Sequence, residues 1–150
     1  MLAQSDIQKL IKLRLKDANA LLQKKRYHGA IYMSGYAVEL SLKNKICDLY
    51  QFTNGFPEAK NELQSYNLNT NQNLISLKTI NSFTDIMNHD LNTLLTYSGE
   101  EIKIKQNYFP EWQIVFTWNP KMRYKIFRSG EKLTSDVLMA VAKIINAINK

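Results

Sequence analysis

Apolar residues return every three or four positions along most of this chain, and that spacing predicts helices. The longest such run lies between Arg26 and Gln51. It contains no proline, and Ala30, Met33/Ser34, Ala37, Val38, Ser41, Leu42, Ile46 and Leu49 form its inward stripe. Gly29, Ala30, Ser34, Gly35, Ala37 and Ser41 leave room for another helix to approach closely. Two glycines inside a helix cost on the order of 1 kcal/mol each relative to alanine, so close packing is expected to compensate there. One acid and one base, Glu39 and Lys43, interrupt the apolar run.

Before it, residues 5–24 read as an amphipathic helix with Ile7, Leu10, Ile11, Leu13/Arg14, Ala18 and Leu21/Leu22 on one stripe. Ser5 or Asp6 can cap it. Lys9, Lys12, Lys16 and Asp17 lie on the other face, and Lys24-Lys25-Arg26 sets cations against its C-terminal dipole end. The connection at Arg26–His28 is so short that the first two helices should lie antiparallel. After Gln51, Phe52-Thr53-Asn54-Gly55-Phe56-Pro57 is a loop signal, and residues 58–66 predict one short helix. Asn67 to Asn73, with four asparagines, reads as a surface turn or mobile loop.

A further helix is predicted from about Leu74 to Tyr97, with a break near Asn81-Ser82 and a stop at Gly99. Leu74, Leu77, Ile80, Phe83, Met87, Leu91, Leu94 and Leu95 make its stripe, which also takes in Asp90. Residues 100–118 read as a helix running into Tyr108-Phe109 and resuming after Pro110, which suits a first-turn position. Asn119-Pro120 ends it, Lys121 to Gly130 is a basic, aromatic-bearing loop, and a last helix spans about Glu131 to Ile148. Its inward stripe is Leu133, Val137, Met139/Ala140, Val141, Ile144, Ile145 and Ile148. The expectation is one all-α domain over residues 1–150, an antiparallel up-and-down bundle of four to six helices.

Composition narrows the function little. The 150 residues are 45% hydrophobic and 22% charged, an ordinary globular balance. A single cysteine, Cys47, cannot make an internal disulfide and fits a reducing cytosol. No apolar stretch reaches the roughly 18–20 residues a membrane span needs, and Met-Leu-Ala-Gln-Ser-Asp has no leader pattern, so a cytoplasmic protein with no membrane partner is expected. The net charge of +7 is uneven: residues 1–50 carry nine Lys/Arg against four acids, 51–100 two against five, and 101–150 nine against four. Basic ends around an acidic middle permit a phosphate-binding face or an acidic partner.

Glu39 and Lys43 stand in the favourable i,i+4 order. Asp90, read as buried, needs a cation, and Lys43 and Arg123 are available. The sequence-level hypothesis is therefore one interhelical cluster of Glu39, Lys43, Asp90 and Arg123, with His89 beside it. A cluster of this kind can lock helix register, or line a cleft where His89 serves as a base or binds phosphate. Two histidines and one cysteine lack the usual metal-ligand spacings, and neither a phosphate-cradling glycine loop nor a nucleophile elbow is present. No metal or cofactor is expected. From Trp118 to Arg128 four cations interleave with three aromatics. That mix suits phosphate contact with base stacking, and equally a loop pinned by its aromatics with its cations in water.

The run Arg26-Tyr-His-Gly-Ala-Ile-Tyr-Met-Ser-Gly-Tyr-Ala-Val-Glu-Leu-Ser-Leu-Lys43 resembles the signature helix of HEPN domains. His89-Asp90-Leu91-x-x-Leu94-Leu95 and the Arg123-Tyr124 pair before a final apolar helix agree with it in order, so the resemblance spans most of the chain. It implies an all-α bundle, a homodimer, and a role in prokaryotic defence, toxin–antitoxin or RNA-related systems, beside a minimal nucleotidyltransferase as partner protein. Nuclease members carry Arg, four to six residues, then His. Here those positions before His89 hold Ser82, Phe83 and Thr84, and before His28 Leu21, Leu22 and Gln23. With no arginine among them, the resemblance implies a non-catalytic module binding RNA or a nucleotide through Glu39, Lys43, His89, Asp90, Arg123 and Tyr124, or binding a partner protein. Two alternatives stand beside it: a divergent metal-independent ribonuclease using His89 with Arg123 or Lys43, and a purely structural dimerisation module.

Overall fold

The computed structural model describes residues 1–66 and 78–150. These residues form an all-α bundle with seven α-helices: α1 (Gln4–Gln23), α2 (Tyr27–Tyr50), α3 (Lys60–Ser65), α4 (Leu91–Tyr97), α5 (Glu101–Asn107), α6 (Phe109–Val115) and α7 (Glu131–Asn149). Two 3-10 turns, Phe83–Asp85 and Pro120–Tyr124, complete the regular structure. Three helices are long and carry the bundle, and four are short.

Helix α2 is the axis. Its small residues and its aliphatics are buried on nearly every side, from Ala30 through Val38 and Leu42 to Ile46. Helix α1 packs along it antiparallel, burying Ile7, Ile11 and Ala18. Helix α7 packs on another face through Val141, Ile144, Ile145 and Ile148, while α4 adds Leu91, Leu94 and Leu95. Leu13 and Leu133 do not join these stripes as the periodicity suggested. Both are about half exposed, and on α7 Ala140 rather than Met139 turns inward.

Gly35 explains its own cost. A Cβ there would lie 2.1 Å from the Trp118 indole, whose Nε1 donates to the Tyr32 carbonyl at 3.1 Å. The missing side chain lets the segment after α6 press onto the α2 backbone. Gly99, at φ +74°, stops α4 as expected, in a conformation that side-chain-bearing residues rarely adopt. Pro110 occupies the first turn of α6, and Glu100 pairs with Lys45 at 3.1 Å, tying the start of α5 to α2.

Of the long helix expected from Leu74 to Tyr97, only Leu91–Tyr97 forms among the described residues. Residues 78–90 run as non-helical backbone and one 3-10 turn, and α4 begins only at Leu91. Local polar bonding explains it. Asp85 takes the backbone N–H groups of Asn81 and Ser82 in a capping box, and Asn88 accepts from the Asp90 N–H. Short polar side chains have here outcompeted the helix for backbone donors. The stretch Asn67–Asn73 and the first residues of that expected helix lie outside the described residues.

Candidate functional site

Tyr32, Tyr36, Glu39 and Lys43 follow one another at helical intervals of four, three and four, so one face of α2 carries two phenols, a carboxylate and an ammonium. From Tyr32 to Lys43 this face runs about 16 Å along the helix axis. At its lower end Glu39 Oε1 accepts from Lys43 Nζ at 2.7 Å and lies 2.9 Å from His89 Nδ1. Glu39 and Lys43 are buried, whereas the His89 side chain is 53% exposed. Glu39 Oε2 is closed off from solvent and accepts no hydrogen bond among the described residues. Lys43 Nζ also stands 5.2 Å from the centre of the Phe56 ring. A carboxylate therefore holds one histidine nitrogen from below, while about half of the histidine side chain stays exposed.

At the upper end Tyr32 and Tyr36 place their phenol oxygens 3.3 Å apart and meet edge to face. Burial, the Tyr32 phenol and the Glu39 charge together push the Tyr36 phenol up to about 12, with the Arg123 guanidinium pulling weakly the other way. Arg123 lies over the Tyr124 ring at 4.7 Å, and its charge acts on the Tyr32 phenol. Both Arg123 and Tyr124 are exposed.

The basic segment divides the two readings of its aromatics between different residues. Trp118 is buried against Gly35 and Tyr36, and Phe127 packs on the His28 ring at 4.1 Å. These two pin the segment. Tyr124 and Ile126 are free of the bundle, 77% and 103% exposed. Lys121, Arg123, Lys125 and Arg128 point to solvent and make no ion pair among the described residues. His28 Nε2 lies 3.1 Å from the Met122 carbonyl and 2.8 Å from the Lys125 carbonyl. Both partners can only accept, so Nε2 carries a proton and His28 clamps the segment.

Glu39, Lys43 and His89 thus come together, and Arg123 joins Tyr124 beside the tyrosines. The single cluster expected from the sequence does not form. Asp90 is exposed and caps α4, accepting from the Thr93 N–H at 2.8 Å, and it pairs with no Lys or Arg among the described residues. Its place on an apolar stripe came from a helix that does not exist there, and a capping carboxylate needs no buried cation. Arg123 forms no ion pair with Glu39. The role of His28 escaped sequence reasoning, because a contact spanning 94 residues leaves no local pattern; the shared face of Tyr32, Tyr36 and Glu39 was legible in their spacing.

Among the described residues no helix is long and apolar enough to cross a membrane, and no group of three His, Cys, Asp or Glu could hold a metal. No protein-family model, curated protein or solved structure matches the chain.

Proposed function

We propose that this chain is a non-catalytic, HEPN-like module that binds single-stranded RNA along the α2 face. The observation that carries this reading is the Arg123–Tyr124 pair, a cation lying over an exposed ring on a segment whose four cations make no ion pair among the described residues. Exposed aromatics accept stacked bases, and neighbouring cations follow the backbone phosphates. The face continues past Tyr32 and Tyr36 to the half-exposed His89, where another phosphate or base could be met. The HEPN resemblance, the absent Arg–His nuclease spacing and the two basic ends of the chain point the same way.

The Glu39–His89 pair favours a second reading, metal-independent RNA cleavage. Glu39 orients His89 through Nδ1, which leaves Nε2 to take the proton of an RNA 2′-hydroxyl as that oxygen bonds to the adjacent phosphorus, and to return it to the 5′-oxygen as the P–O5′ bond breaks. Cations at the phosphate would stabilise the developing charge.

Labelled single-stranded RNA and ATP titrated into the protein over a salt series, with the same samples run on a gel, separate these readings. Binding that weakens with salt, falls about fivefold or more in Tyr124→Ala and leaves the RNA intact supports the module. Cleavage that disappears in His89→Ala while the helical spectrum is kept promotes the nuclease. Absence of binding to either ligand overturns both readings.

A further inference from the structure

We propose that the cavity at the start of α2 receives the terminal phosphate of a bound RNA strand. The inference rests on the RNA reading and names the group that anchors one end of that strand. The cavity encloses about 650 Å³ between the α1–α2 turn and residues 127–129. Lys25 and Arg26 line it from the turn and Arg128 from the other side, and no acid lines it. All three cations are exposed, and none makes an ion pair among the described residues.

The turn that carries two of these cations is fixed. The Lys25 N–H donates to the Leu22 carbonyl at 2.9 Å and the Arg26 N–H to the Leu21 carbonyl at 2.8 Å, the pair of bonds that closes a helix C-terminus. Lys25 holds φ +57°, a conformation that glycine or asparagine usually takes at this place. A cation therefore stands at the cavity wall where glycine would cost less backbone strain. Arg26 begins α2 without a side-chain cap, and no acid occupies the first turn of that helix. The three cations carry the assignment, and the positive end of the α2 dipole adds to them.

Charge selects a phosphate monoester. An internal phosphodiester carries a single negative charge, whereas a monoester carries roughly −1.5 to −2 near neutral pH and offers three acceptor oxygens. Three cations around one cavity suit the second group better. Position selects the end of an RNA strand. His28 and Phe127 also line a neighbouring cavity of about 290 Å³, which Arg123, Tyr124 and Lys125 share. Tyr124 and Arg128 are four residues apart, about 13 Å at most along the chain. A strand stacked on Tyr124 thus leads along the segment into the larger cavity.

The test is titration of the full chain, at physiological salt, with one short oligouridine carrying a 5′-phosphate, a 3′-phosphate or hydroxyls at both ends, and with inorganic phosphate alone. One phosphorylated end should bind about tenfold tighter than the hydroxyl-ended strand. The double variant Lys25→Gly with Arg26→Gln should lose that preference and keep the hydroxyl-ended affinity, because long-range attraction is screened at this salt. Glycine also suits the left-handed backbone at Lys25, so this variant is expected to fold. Equal binding of all three strands overturns this inference and leaves the RNA reading standing, while binding of none overturns both. A preference that survives in the double variant also overturns it, as does inorganic phosphate binding as tightly as the phosphorylated strand.

Discussion

Glu39 accepts from two sides on one oxygen and, among the described residues, from nothing on the other, so its stability rests on an ion pair held out of water. Taking away one partner of such a pair leaves an uncompensated buried charge. Glu39→Ala is expected to cost about 3–5 kcal/mol, read as a lower urea midpoint. Replacing both partners by aliphatics, Glu39→Leu with Lys43→Met, should restore most of that stability while abolishing any role of His89 that depends on Glu39. Gly35→Ala would improve helix propensity by about 1 kcal/mol yet drive a methyl into the Trp118 ring. Overpacking of that kind typically costs about 1–3 kcal/mol, and here the neighbour is a large ring fixed by its own hydrogen bond. Net destabilisation with a changed tryptophan emission is the expected result. Burial also pushes the Cys47 thiol and the Tyr50 phenol up to about 12, alongside Tyr36. The folded chain then keeps protons that the unfolded chain gives up, so stability should fall as pH rises from about 9 to about 12. Denaturation midpoints across that range check it, and Cys47→Ala should flatten the first part of the decline.

At the scale of elements, the start of α4 depends on a single carboxylate. Asp90→Ala should cost about 1 kcal/mol through removal of the cap, whereas Asp90→Asn, which still accepts from Thr93, should be nearly neutral. If Asp90 instead neutralised a buried cation, the asparagine variant would be as damaging as the alanine one. The segment from Trp118 to Arg128 is likewise an element held at few points, chiefly Trp118 on Gly35 and His28 on two carbonyls. His28→Ala should raise hydrogen exchange over residues 121–128 while overall helicity is kept. On the RNA reading it should also weaken binding, because the Arg123–Tyr124 pair would no longer be held beside α2.

For the molecule as a whole, the charge distribution matters most. On the RNA reading, the segment from Trp118 to Arg128, whose four cations make no ion pair among the described residues, would release counterions from the phosphates it neutralises, so affinity would fall with salt. Removing one such cation makes that dependence shallower, and Arg123→Ala should reduce the slope by about one. Self-association, implied by the HEPN resemblance, predicts a mass near twice the 17.4 kDa of one chain by light scattering. A monomer at micromolar concentration would remove that part of the reading.

Sequence by itself determined the helical class, the central position of α2, the antiparallel α1–α2 pair, the first-turn place of Pro110 and the closeness of Glu39 to Lys43. All of these follow from periodicity, turn chemistry or i,i+4 spacing, which are properties of neighbouring residues. The break before α6 fell at Tyr108 rather than at Pro110. Tertiary structure alone decided the rest. Whether Asp90 faced a core or capped a helix depended on competition between side-chain and backbone acceptors over residues 81–93. That His89, and not Arg123, met Glu39 depended on where a non-helical segment crossed α2. The fit of Trp118 onto Gly35 and the clamp by His28 arise between residues far apart in the chain. Their geometry is set by how whole helices pack, and no local pattern encodes it.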